Sequence, residues 1–470
     1  MGKYETFREQ YPEFIYESYD IEEQDGKVLL TYHFSVPGLR DFAPRWTLPM
    51  PEAPVLKPSD PVFRNLAFSL GLVELISYWK IACPPVVRVK CGSLDEEQIL
   101  WWKQQYLLGL GEFFYKNGIS VTLDDFMTIR SEGEPIPAVP AAGREELPLH
   151  GCMIPVGGGK DSIVSMELLK EAAGESFADE NCCYIMNPRG ATVDSARIAG
   201  LGDRIVGVGR TLDKNMLELN KLGFLNGHTP FSALVAFSAV LMAAVYGKKY
   251  VVLSNESSAN ESTVAGSDVN HQYSKSFRFE EDFNGYEKKF IGSGVHYFSL
   301  LRPWSEFQIA AYFARLGKYH ADFRSCNVGS KTNIWCGNCP KCLFVWVILS
   351  PFLSTAQLEA IFGSNLAEKE ELWETLRQLC GMTPEKPFEC VGSRDEICFA
   401  LKMAIARMEK EKKPLPLLYQ KFIETDLYKE YQEKENPYFD YFNGEHLLPD
   451  EFLKIVRAAA ASLKEKEGSL

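Results

Sequence analysis

Two short runs carry residue types whose spacing suits chemistry. The first is MIPVGGGKDSIVSMELLK, where an apolar, strand-like segment meets Gly157, Gly158 and Gly159, then Lys160, Asp161 and Ser162, and a helical pattern starts at once. Glycines accept positive backbone angles and close approach, so several N–H groups can face one oxyanion, and the helix N-terminus adds its positive dipole end. Ser162 can donate to a phosphate, and Asp161 can hold a divalent ion that neutralises it. The spacing fits neither G-x-x-x-x-G-K-[ST] nor G-x-G-x-x-G, which excludes the two commoner glycine loops. The second run contains Cys326, Cys336, Cys339 and Cys342 as C-x9-C-x2-C-x2-C. That spacing lets one backbone turn bring several thiolates to a tetrahedral Zn2+, and with no position left for water such a site is structural. Buried cysteines near a tight turn, or an iron–sulfur cluster, are the alternatives.

The elements that must position these runs read as α/β. From His150 onward, GCMIPV, CCYIMN, RIVGVG and YVVLSN alternate with longer helical patterns, which predicts a doubly wound parallel sheet with helices on both faces. Ligands of such sheets bind beyond the carboxyl ends of the strands, so YIMNP with Asn187, and LSNESSANES with Asn255, Glu256 and Asn260, are candidate contacts for a bound ligand or Mg2+. For the second group a solvated polar loop is the competing reading. Before this region, KVLLTYHFSV alternates like a strand and residues 95–115 look helical. The Pro- and Gly-rich residues 131–148 read as a linker. Three parts are expected: an α+β N-terminal domain over 1–147, the α/β domain with the glycine run over 148–350 ending in the cysteine site, and a mainly helical region over 351–470.

Composition narrows the function classes. Apolar residues make up 46% and charged residues 24% of 470 positions, an ordinary folded-enzyme balance. Lys and Arg number 50 against 63 Asp and Glu, for a net charge of -13 with no compensating basic run, which disfavours nucleic acid as a partner. The start, MGKYETFREQYPEF, lacks an apolar core after a basic region, so neither export nor an N-terminal anchor is expected and the expected location is cytoplasmic. The most apolar stretch, residues 230–247, falls short of the roughly 20 residues that span a bilayer and is expected to be a buried helix. Twelve cysteines without an export signal are not read as a disulfide framework, and Cys152, Cys182 and Cys183 lie in apolar runs expected in the core.

The glycine run resembles the S-G-G-x-D-S signature of PP-loop ATP pyrophosphatases, whose HUP-type sheet binds ATP and supports cleavage between the α and β phosphates. Gly157 stands where that signature has Ser, removing one hydroxyl donor. A similar four-cysteine pattern occurs in 7-cyano-7-deazaguanine synthases, which are also PP-loop enzymes. Taken with NGHTPFSALVAFSAVLMA, LLRPWSEFQIAAYFARLGKYHADFRSCN and IWCGNCPKC, the run is similar to the UDP-N-acetyl-α-D-muramoyl-L-alanyl-L-glutamate epimerase family over residues 150 to 350.

That resemblance implies ATP- and Mg2+-dependent inversion of the terminal L-Glu of UDP-N-acetylmuramoyl-L-alanyl-L-glutamate, with AMP and pyrophosphate as products, in cell-wall synthesis. An acyl-adenylate would acidify the α-proton, and the acid–base work then needs a positioned group near neutrality. His271, Lys275 and His228 are the candidates. His228 also suits orienting the next helix or touching phosphate, and His271 and Lys275 suit binding the substrate's diphosphate. Arg302, Arg278 and Arg210 fit either anion contacts or structural ion pairs. Another PP-loop adenylylating enzyme, deazaguanine-forming or tRNA-modifying, and a non-catalytic nucleotide sensor are the competing functions.

Overall fold

A computed structural model describes residues 2–136, 147–261 and 273–467 of the chain. Its strands are β1 (Glu13–Gln24), β2 (Lys27–Val36), β3 (Arg40–Phe42), β4 (Arg45–Pro49), β5 (Val86–Val89), β6 (Thr128–Ser131), β7 (Cys152–Pro155), β8 (Cys182–Met186), β9 (Ile205–Thr211), β10 (Tyr250–Leu253) and β11 (His296–Ser299). They form one sheet in the order β11-β10-β7-β8-β9-β4-β2-β1-β5-β6, with β3 beside β2. Among the described residues no strand follows β11, and the remainder of the chain is helical, ending in Asp450–Glu467.

Strands β11, β10, β7, β8 and β9 run parallel to one another. Successive strands β7, β8 and β9 extend the sheet one way, and β10 and β11 lie on the other side of β7. The order of strand connections therefore reverses between β7 and β10, beside the start of the glycine run. The sheet is nonetheless mixed, which corrects the expectation of a wholly parallel, doubly wound one. β4 pairs antiparallel with β9, Trp46 opposite Arg210, and so carries the N-terminal strands into the same sheet. Arg210 is fastened at this seam by two bonds to the Glu74 carboxylate, at 2.8 and 2.7 Å, and the Trp46 indole donates to the same carboxylate at 3.0 Å. Burial of Glu74 on the Pro61–Trp79 helix makes this a structural ion pair, so Arg210 is not a substrate anchor.

Strand alternation sends neighbouring side chains to two separate cores. Met153, Tyr184, Val251 and Tyr297 join the core that holds the N-terminal strands and the helices Pro61–Trp79 and Phe231–Val245. Ile154, Cys183, Val252 and Phe298 join the other, with the helices Lys160–Ala173, Glu306–Ala314 and Pro340–Leu349. The Phe231–Val245 helix realises the apolar run at 230–247: from Ala236 to Val245 every side chain is buried. No helix of the described residues is long and apolar enough to cross a membrane. The stretch at 95–115 forms Glu96–Gly109, opened by a reciprocal Asp95–Gln98 capping box, and then Gly111–Lys116.

Candidate active site

The glycine run lies between the end of β7 and the Lys160–Ala173 helix, at the topological switch of the parallel strands. Gly158 has φ +78°, and a Cβ there would sit 2.9 Å from backbone atoms of Ala191 and Thr192. Only glycine lets the loop lie against the next helix, Ala191–Ala199. At Gly157 a Cβ meets nothing within 4 Å, so the position that differs from the PP-loop signature has room for its serine. Gly158→Ala is therefore expected to cost about 1–3 kcal/mol of stability, while Gly157→Ser leaves the melting temperature unchanged. Parallel thermal melts check this, and equal behaviour of the two variants contradicts it.

A cleft of about 570 Å³ opens above this loop, reached by Pro155, Met186 and Leu253 at the ends of β7, β8 and β10. Gly157, Gly159, Asp161 and Ser162 form its floor. Asn187 and Asn255 line it as expected, though each is also bonded within the scaffold. The Asn187 side chain exchanges two bonds with the Arg210 backbone, at 3.1 and 2.9 Å, holding Asn187 at φ +52°. Asn255 donates to Ser299 at 3.1 Å.

Lys160 is not among the lining residues. Its ammonium is buried at 1% exposure and bonds to both Asp161 and Glu306, the latter 1% exposed at the start of the Glu306–Ala314 helix. Burial raises the Asp161 carboxyl, but the Lys160 and then the Lys341 ammonium outweigh it and hold the group below its ordinary value. Burial pushes Glu306 up to about 8 against the pull of Lys160. The cleft thus faces an ionised Asp161 whose partner is anchored from below. Lys160→Met leaves two carboxylates without the ammonium they share, and we expect a loss of about 3–5 kcal/mol in urea unfolding; an unchanged midpoint contradicts that role.

The cleft also gathers cations in an acidic protein: Lys275, Lys341, Arg189 and Arg324 line it. Of the three acid–base candidates, Lys275 lines the cleft and His271 falls outside the described residues. His228 stands instead with its Nδ1 3.7 Å from a carboxylate oxygen of Glu112 and is not among the residues that line the cleft. Glu256 is buried beside the cleft rather than lining it, and Arg302 binds its carbonyl at 2.8 Å. Arg302 is itself wholly buried, bonded to Glu280 and to the Lys275 carbonyl, so it braces the site from within. Arg278 is exposed near Asp282. The side chain of Asn260 is outside the described residues.

Lys341, Arg324, Glu306 and Cys390 are the site residues that sequence reasoning missed. Lys341 was visible in CGNCPKC as a cation at a helix start. Glu306 had no local signal, because its partner is 146 residues away.

The cysteine cluster lies behind the cleft, whose lining includes its sequence neighbours Ser325, Asn327 and Lys341. Sγ atoms of Cys326 and Cys339 are 3.8 Å apart, Cys336 and Cys342 3.7 Å, and Cys339 and Cys342 3.5 Å. All four lie within 4.8 Å of one another. A tetrahedron with Zn–S bonds of about 2.3 Å has edges near ~3.8 Å, so the donor set fits such an ion. The Gly329 and Cys336 N–H groups point at Cys326 Sγ, as they would at a thiolate. Residues 324–333, leading into this cluster, lie across the glycine loop. The Arg324 N–H donates to the Gly158 carbonyl at 2.8 Å, and Asn333 accepts from the Ala191 N–H at 2.9 Å.

The sequence matches the MurL N-terminal domain over residues 5–300 and the MurL C-terminal domain over residues 322–434. A protein of Xanthomonas oryzae pv. oryzae named UDP-N-acetyl-alpha-D-muramoyl-L-alanyl-L-glutamate epimerase is 34% identical over 397 residues, covering 83% of this chain and 85% of its own length. Proteins of the same name from Salinispora tropica and a Micromonospora species are 34% and 33% identical, each over 83% of this chain and over 84% and 86% of their own lengths. No solved structure matches. With both domains matched in order and these relatives spanning most of its length, the chain belongs to the MurL family.

Proposed function

We propose that the protein inverts the terminal L-Glu of UDP-N-acetylmuramoyl-L-alanyl-L-glutamate to D-Glu, consuming ATP and releasing AMP and pyrophosphate, as a step of peptidoglycan biosynthesis. The shared name of the three relatives supports the substrate and the inversion. The observation that carries the chemistry is that the glycine loop, Asp161, Lys275 and Lys341 all face one cleft.

A free carboxylate resists loss of its α-proton, because the carbanion would form beside a full negative charge. In the proposed first step a carboxylate oxygen of the substrate attacks the α-phosphorus of ATP, and the bond to the β-phosphate oxygen breaks. Pyrophosphate leaves with that electron pair. The loop N–H groups and the start of the Lys160–Ala173 helix suit its negative charge, and Lys275 and Lys341 add to that field. Asp161, held ionised, would hold the Mg2+ that spreads the phosphate charge. The acyl group is then neutral at its carbonyl, so the electrons released from Cα can delocalise there. Zn2+ at the four cysteines would be structural, fixing residues 324–333 over the loop. We place the reaction in the cytoplasm, where ATP is supplied.

Substrate labelled with 18O in the glutamate α-carboxylate tests the activation step. Attack through that oxygen, followed by water attack at the acyl carbon, leaves one label in AMP. Unlabelled AMP under conditions that produce D-Glu contradicts an acyl-adenylate opened by water at its acyl carbon.

A further inference from the structure

We propose that Cys390 is the thiol that removes the α-proton of the activated glutamyl group, with Lys275 as the residue that holds it as a thiolate. This rests on the epimerase reading and adds to it the identity of a catalytic residue.

Inversion at carbon needs a side chain in the cleft that can accept a proton near neutrality. No histidine is among the described lining residues. Asp161 belongs to the phosphate floor and is held ionised at low pH by its ammonium partners, which makes it a weak base. The Tyr184 phenol is bonded to Ser238 at 2.6 Å, and burial raises it well above its ordinary value. Burial works to lower Lys275, but Cys390 and Glu256 outweigh it, so its ammonium is kept. Lys341 donates to the Cys390 carbonyl. Cys390 is the remaining lining residue with a proton-accepting atom on the cation-rich side.

Its geometry suits the role. Lys275 Nζ stands 3.0 Å from Cys390 Sγ, and an ammonium at that distance favours thiolate over thiol. Cys390 is only partly buried, unlike the core cysteines Cys152, Cys182 and Cys183, and it lies outside the four-cysteine cluster. The segment carrying it is fastened on both sides. Lys341 binds the Cys390 carbonyl, Lys386 binds the Gly392 carbonyl at 2.9 Å, and Asn327 binds the Glu389 carboxylate at 3.1 Å. A thiolate positioned in this way meets the requirement of a fixed base beside the phosphate loop.

In the step itself the Cα–H bond breaks, the proton passes to Sγ, and the electron pair moves into the activated carbonyl. A proton from water or an exchangeable group on the opposite face then returns to Cα. The Cys390 thiol gives its proton to solvent before the next turnover. Wild-type protein in D2O consequently incorporates deuterium at Cα.

The test compares wild type with Cys390→Ser and Cys390→Ala as full-length protein, using UDP-N-acetylmuramoyl-L-alanyl-L-glutamate, ATP and Mg2+ in D2O. Both variants are expected to lose D-Glu formation and Cα deuteration by at least ~10²-fold, while substrate-dependent AMP formation persists. Epimerisation near the wild-type rate, or AMP formation falling in step with D-Glu, overturns the proposal. A wild type that makes no D-Glu overturns the epimerase reading, and this inference with it. Should the variants misfold, wild type treated with methyl methanethiosulfonate keeps the proposal falsifiable. Modification mapped to Cys390 is expected to stop epimerisation reversibly, with recovery in dithiothreitol, and an active modified protein refutes the assignment.

Discussion

Asp161→Asn is expected to lower AMP and pyrophosphate formation at least ~10²-fold while leaving the fold intact. The substitution keeps the shape of the side chain and removes its charge. Asp161 faces the cleft directly beside the glycine loop, and its carboxylate is kept ionised by Lys160 from below. Lys160 retains Glu306 as its partner in the variant, so the buried ammonium is not stranded. What disappears is the negative group facing the cleft and, in the proposed reaction, the means of holding Mg2+. AMP release by high-resolution chromatography, alongside circular dichroism, checks this. Turnover at the wild-type rate in a folded variant removes Asp161 from the metal-binding role.

Cys342→Ser is expected to lose about one zinc per chain and at least ~3 kcal/mol of stability, and to weaken ATP binding as well. Cys342 is fully buried on the first turn of the Pro340–Leu349 helix. That helix also carries Lys341 into the cleft, and the segment before it binds the glycine loop through Arg324. An ion at the four sulfurs would therefore act on two sides of the site at once. Metal analysis and thermal melts with and without chelator test the expectation. Protein purified without metal and indifferent to chelator contradicts it.

Features coded by local spacing were legible before any coordinates. The helix within 230–247 followed from the most apolar run of the chain, the helices within 95–115 from their pattern, and the cysteine tetrad from its own intervals. Features made by distant pairing were not. The union of β4 with β9 depends on an edge-to-edge contact between segments about 165 residues apart, and no periodicity announces it. Lys160 read as a phosphate ligand because of its neighbours, yet its ammonium turns to Glu306, reached only when a later helix packs on the loop helix. His228 read as a possible acid or base, and its imidazole lies by Glu112 of the N-terminal region. Cys390 is an isolated cysteine in sequence, and its meaning comes from Lys275, 115 residues earlier.

The most direct test of the proposed reaction is incubation with UDP-N-acetylmuramoyl-L-alanyl-L-glutamate, ATP and Mg2+, followed by acid hydrolysis, chiral analysis of glutamate, and assay of AMP and pyrophosphate. The expected result is D-Glu formed only when ATP is present, together with AMP and pyrophosphate. Glutamate that stays L contradicts the epimerase function: AMP appearing only with another acceptor would point to a different adenylylating enzyme, and no AMP with any acceptor to a nucleotide sensor.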